Sequence, residues 1–257
     1  MICSSRRSLI SLAIIIASLF ISHIELSAVS GDEVSTNTIA PLIKSGGMLP
    51  FTRMMKEFPQ LYSLSSDARI DRFVSKEFSL SETSYAPSDL KLLTGGSIDT
   101  AGRIISLREE ASLALMLLAK DFEKKFDRPL VVVSWYRSAN YQQRLWDLGR
   151  CTDTLCAPPG YSEHQLGLAI DIFEATTEKD YLANRAFARY LNWFQENAHN
   201  YGYHQSYQKW EKIDAYEVEP WHWRYLGTDL ATTLKKLNMT YTEYTEFMSM
   251  RSFWGMN

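Results

Sequence analysis

The 257-residue chain carries only three cysteines, no marked excess of either charge sign and no apolar run of membrane-spanning length. Each absence excludes something. Lysine and arginine number 27 against 30 aspartates and glutamates, a formal net charge of -3, which argues against a nucleic-acid binder. No repeat, low-complexity tract or collagen-like period is present, and 46% hydrophobic with 22% charged residues is ordinary globular composition. The length suits one main domain with appendages. The longest apolar run, Leu9 to Ile21, is roughly thirteen residues, short of the ~20 that a helix needs to cross a bilayer.

That run sits behind Arg6 and Arg7 and ahead of Ala28-Val29-Ser30, the order of a secretory signal peptide with its small-residue cleavage site. Residues 1–30 are therefore expected to be a cleaved leader, with an uncleaved anchor as the alternative and the only expected membrane contact. No cysteine follows the run at its boundary, which argues against a lipid anchor. Either way the rest of the chain is expected in the periplasm or cell envelope. Cys3 belongs to the leader. Cys151 and Cys156, close in sequence and facing an oxidising compartment, are expected to form a disulfide.

The sequence predicts a linker and N-terminal helical extension over residues 31–84, with short helices at Phe51–Phe58 and Asp67–Phe78. A catalytic domain follows over 85–238, then a helical tail over 239–257. Ser106 with Glu109 fits a capping box, and Leu107, Ala111, Leu115, Leu118 and Phe122 recur at helical spacing, predicting a helix over 107–125. Further helices are expected at 141–148, 184–198 and 228–237. Apolar strands are expected at 130–135 and 168–173, with a third at 216–218. Helices and short strands alternate without a βαβ rhythm, which points to an α+β fold.

The chemistry concentrates in two stretches, Ser162-Glu163-His164-Gln165-Leu166-Gly167-Leu168-Ala169-Ile170-Asp171 and Glu219-Pro220-Trp221-His222. Their two histidines, with Asp171 and Glu219, suit a catalytic zinc site of three protein ligands and one open position. His164 and Asp171 cannot meet along one regular element. Seven residues cover ~23 Å as strand and ~10 Å as helix. The chain must reverse between them, and Gly167 is the residue that permits it. In the second stretch Pro220 pushes Glu219 towards an extended conformation, leaving Glu219 and His222 close on one turn. One of the two can bind metal while the other takes a proton from water.

These segments resemble the VanY-type zinc D-alanyl-D-alanine carboxypeptidases, with their relatives the L,D-carboxypeptidases and VanX-type dipeptidases. The resemblance rests on SxHxxGxAxD and ExxH within EPWHWRYLG. It extends to Tyr85–Leu90, to Ser134-Trp135-Tyr136-Arg137-Ser138 with Tyr141-Gln142-Gln143, and to Glu196–Gly202, about 150 residues in all. It implies a small, mainly antiparallel sheet flanked by helices. It further implies that His164, Asp171 and His222 bind Zn2+, that Glu219 is the general base, and that Arg137 stabilises the oxyanion. Ser162 and Gln143 would hold substrate, a peptidoglycan stem peptide cut at its terminal D-alanine. His204 is the rival third ligand. The chain departs from the family pattern at Ile213–Tyr216 and at His204–Tyr207, which leaves fine substrate preference, more than catalysis, outside what the resemblance implies. A wall endopeptidase of the same fold is the alternative activity. A non-catalytic wall-binding module would need the ligands but neither Glu219 nor Arg137.

Overall fold

The computed structural model describes residues 62–253 apart from positions 94, 174 and 176. The expected leader, Cys3, the expected helix Phe51–Phe58 and residues 31–61 of the expected linker lie outside the described residues. Strands β1 (Leu90–Leu93), β2 (Ile98–Asp99) and β3 (Ile105–Arg108) precede helix α1 (Glu109–Phe126). Ile105 and Leu107 are fully buried, and β3 pairs antiparallel with β1 from Leu93–Ile105 to Leu90–Arg108. That pairing overrides the helix expected from residue 107. The capping box does not form either: the N-cap is Arg108, with no side-chain cap hydrogen bond. From Glu109 the helix runs as the apolar spacing requires, burying Ala111, Leu115, Leu118 and Phe122. Glu109 and Glu110 in its first turn and Lys124 and Lys125 in its last complement the helix dipole.

The chain then forms β4 (Leu130–Ser134), α2 (Ala139–Asp147), a 3-10 turn at Glu163–Leu166, β5 (Ala169–Ile172), α3 (Glu178–Ala183) and α4 (Arg185–Asn197). A second 3-10 turn, Ala198–Tyr201, leads to β6 (Tyr203–Gln205), α5 (Glu211–Asp214), β7 (His222–Tyr225), α6 (Thr228–Leu237) and α7 (Tyr241–Phe253). Five strands form one sheet in the order β2-β4-β5-β7-β6, antiparallel except for the β2–β4 pair. The fold is α+β, with a small, mainly antiparallel sheet. Its register places Asp171 opposite Ser134 on one side and opposite His222 on the other.

Phe122 centres the main core, with the rings of Phe126, Phe173, Tyr190 and Phe194 at 4.7, 5.7, 5.1 and 5.9 Å. A second apolar cluster joins Phe73 to Leu230 and Leu234 of α6 and Tyr241 of α7.

Two expected elements are replaced by irregular chain. Residues 67–78 form turns and a bridge between Ser63 and Arg72 rather than a helix. There Asp67 binds the side chain of Arg72 and the backbone N–H of Ser81, so local polar pairing wins over helical bonds. Residues 216–218 are not a strand. The Glu217 N–H donates to Thr154 and the Glu219 N–H to Tyr207, which ties this stretch to two loops.

Candidate metal centre and catalytic cleft

The reversal between His164 and Asp171 occurs where the chain carries a glycine. Gly167 closes the Glu163–Leu166 turn in the left-handed region at φ 67°, its N–H bonded to the His164 carbonyl. A Cβ there would lie 2.9 Å from Leu90 Cδ2 and 3.2 Å from Arg108 Cγ, so both conformation and space require glycine. The turn lifts His164 over β5, from which Asp171 projects beside His222 of β7. One ligand atom from each of the three residues lies within 4.8 Å of the others. The ring centroids of His164 and His222 are 4.9 Å apart.

The tautomer of His164 suits a cation. His164 Nδ1 donates to the Trp135 carbonyl at 2.8 Å, which leaves the lone pair on Nε2. That Nε2 is buried without a hydrogen bond, 3.2 Å from Asp171 Oδ2. Burial and the nearby Arg137 charge lower the His164 pKa to about 4, so the ring is neutral. His222 sits between carboxylates: Nδ1 is 3.0 Å from Asp171 Oδ1 and Nε2 is 2.9 Å from Glu163 Oε2. Burial opposes its charge, but hydrogen bonds to Asp171 and Glu163 raise its pKa to about 10. Burial also opposes ionisation of Asp171, yet the two histidines hold its carboxyl well below the usual range. An orphaned imidazole nitrogen, a second imidazole and an ionised carboxylate form the donor set of a divalent cation such as zinc.

Glu219 approaches from the turn before β7, its Oε2 3.6 Å from His222 Nδ1. Burial raises its pKa to about 8, against the opposing pull of His222. Arg137 follows β4, with Nη2 3.7 Å from Asp171 Oδ2. Ser162 is buried on the cleft wall. These groups share one cleft of about 290 Å³, walled also by Tyr207, Tyr216 and Trp221. The Cys151–Cys156 disulfide is formed, and Leu155, Cys156 and Ala157 line the same cleft. His204 is buried on β6, where Nε2 meets Gln208 at 3.0 Å, and it is not among the clustered ligand residues.

One expected site residue lies elsewhere. Gln143 is exposed on α2 and donates to Asp147 at 2.9 Å, one helical turn along. Gln142 is the buried one, because it falls on the inward face of α2. It accepts from Arg137 Nη1 at 3.3 Å and donates to the Ala157 carbonyl at 2.6 Å. The SxYRSxxxQ spacing counted from Ser134 ends at Gln142, so the signal was in the sequence.

Sequence reasoning also left Glu163, Ser206 and Arg224 without roles. Glu163 Oε2 accepts from Ser206 Oγ at 2.6 Å, and Oε1 accepts from Arg224 Nη1 at 3.2 Å. Burial opposes the ionisation of Glu163, but the Arg224 charge and the bond from His222 lower its pKa to about 2.

Comparison with known proteins agrees with this geometry. Residues 104–228 match the family model described as VanY, D-alanyl-D-alanine carboxypeptidase. YodJ of Bacillus subtilis strain 168, a carboxypeptidase by assignment, is 34% identical over 202 residues, covering 75% of this chain and 72% of its own. The solved LdcB LD-carboxypeptidase, whose structure concerns peptidoglycan recognition, is 34% identical with a TM-score of 0.59. The match covers 70% of this chain and 87% of that one. A crystal structure of the D,D-pentapeptidase VanY in complex with Zn(II) shares the fold at 24% identity and a TM-score of 0.52, covering 68% and 97%. The chain belongs to the VanY family of D-alanyl-D-alanine carboxypeptidases.

Proposed function

We propose that the chain is an exported zinc carboxypeptidase that hydrolyses the amide bond to the terminal D-alanine of peptidoglycan stem peptides, in D,D or L,D linkage. The observation that carries this reading is the convergence of His164, Asp171 and His222 beside Glu219 in one cleft. His164, through Nε2, Asp171 and His222, through Nδ1, would hold the metal. Zinc supplies Lewis acidity there, polarising the scissile carbonyl and acidifying water. Glu219 takes the proton of the attacking water and returns it to the departing amine. A divalent cation held by these three ligands would lower the raised pKa of Glu219 and favour its ionised form. Arg137 faces the developing oxyanion, where a fixed cation in a water-poor cleft is most effective. Gln142 acts on Arg137, fixing one of its nitrogens. Ser162 offers a hydroxyl to the substrate's terminal carboxylate or backbone.

The leader expected at residues 1–30 and the disulfide support action outside the cytoplasm. The reading is tested by mass analysis of tetra- and pentapeptide stems incubated with the zinc-loaded chain. Loss of one alanine from either substrate is expected, and which substrate is cut reports the linkage. Two larger fragments would instead indicate an endopeptidase, and unchanged stems would refute both.

A further inference from the structure

Beyond the Nε2 side of His222 lies a chain of buried charged contacts that the hydrolytic mechanism does not use. It begins at Glu163, the residue before His164. One oxygen of Glu163 accepts from His222 Nε2 at 2.9 Å and from Ser206 Oγ at 2.6 Å. The other accepts from Arg224, which follows His222 by two positions on β7 and therefore shares its face of the sheet. Arg224 is completely buried. Its Nη2 donates to the carbonyls of Ile70 at 3.0 Å and Arg72 at 2.9 Å, outside the segment matched by the family model. That segment is itself pinned. The Arg72 side chain bonds Asp67 at 2.8 Å and the Phe73 carbonyl at 2.6 Å, and Tyr241 of α7 bonds the Asp71 carbonyl at 2.6 Å.

A histidine with two free ring nitrogens can rotate or exchange tautomers, and a metal ligand must do neither. A carboxylate on the far nitrogen prevents both by fixing the proton there and the lone pair opposite. A fully buried arginine with a carboxylate partner does not by itself explain this arrangement as a stability device, since such pairs add little over apolar packing. Its geometry does: each member fixes the next.

We propose that Glu163 is a positioning residue that holds His222 with Nδ1 towards the metal, and that Arg224 anchors Glu163 to the segment around Ile70 and Arg72. The metal site then draws on chain N-terminal to the catalytic motifs. Ser206 lies in the His204–Tyr207 stretch, and its hydroxyl donates to the same Glu163 oxygen that meets His222.

The inference rests on the proposed zinc site and is tested by metal affinity rather than turnover. Zinc affinity of the full chain is measured by competition with a chromophoric chelator, together with the visible spectrum of the cobalt-substituted protein and melting of the metal-free form. Glu163→Gln is expected to weaken zinc binding about ten- to hundredfold and to shift the cobalt bands. Arg224→Lys keeps a cation but loses the fork to the two carbonyls, and is expected to weaken zinc binding several-fold. If Glu163→Gln does not fold, Ser206→Ala decides, because it removes only one bond to the same oxygen; a several-fold loss of affinity is expected. Zinc affinity within twofold of wild type and unchanged cobalt bands, in Glu163→Gln or in Ser206→Ala, would overturn the positioning role. A wild-type chain that binds no zinc would overturn the metal reading itself, a separately visible result.

Discussion

Two glutamates flank His222, both buried, and their environments differ in kind. Glu163, on the Nε2 side of the ring, has its oxygens occupied by His222, Ser206 and Arg224, and its pKa falls to about 2. Glu219, on the other side, faces His222 Nδ1 at 3.6 Å without such a cage, and burial raises its pKa to about 8. The same side chain, at similar depth, is locked as an anion in one place and held ready to exchange a proton in the other. On the proposed mechanism, the saturated charge belongs to the scaffold and the unsaturated one to the chemistry.

Breaking the front of the site gives the largest expected effect. His164→Ala removes the ligand whose Nε2 is orphaned, and both bound zinc and hydrolysis are expected to be lost, the latter by at least about a thousandfold. Metal content and alanine release in the same preparation check this. Retained stoichiometric zinc would show that the cation sits elsewhere.

The contrast between the glutamates sharpens in the metal-free protein. Glu219 has a folded pKa near 8 against an ordinary 4.5. The folded state therefore binds the proton more tightly than the unfolded chain, and stability declines as pH rises from about 4.5 to 8. Glu219→Gln removes that decline. Denaturant melts should show the variant more stable than wild type, by roughly 1–4 kcal/mol at pH 8 and by little at pH 4. Glu163 has the opposite sign. Its contribution is complete above the ordinary carboxylate value and fades as pH falls towards about 2. A pH-independent difference between Glu219→Gln and wild type would remove the distinction drawn between the two carboxylates.

The smallest effect separates two adjacent glutamines. Gln142→Ala frees a nitrogen of Arg137 and should lower kcat about tenfold. Gln143→Ala, which loses only a surface bond to Asp147, should leave kcat within twofold. Steady-state kinetics on one stem peptide tests both, and equal effects would show that Arg137 does not depend on Gln142.

Much of the site was legible because its residues lie in short local patterns with a physical reason behind each spacing. Gly167 had to reverse the chain between His164 and Asp171, and it does. The helix 185–197 and the strand 169–172 follow from periodicity and apolar runs within a residue or two of expectation. What escaped depends on partners distant in sequence. The strand 105–108 wins over helix because β1 is beside it. Residues 67–78 remain irregular because Asp67 and Arg72 satisfy one another and nearby backbone. Arg224 reads as an ordinary surface cation until Glu163 and the Ile70 carbonyl are seen against it. Of the two adjacent glutamines, the motif's spacing and the inward face of α2 both favour Gln142 over Gln143.

The central claim is that three side chains hold one cation while Glu219 remains free to move a proton. Zinc stoichiometry and D-alanine release, measured together on Glu219→Gln beside wild type, test it most directly. One zinc per chain in both, with release lost by a factor of about 10²–10⁴ in the variant, is the expected result. Release at the wild-type rate, or a wild-type chain without zinc, would contradict it.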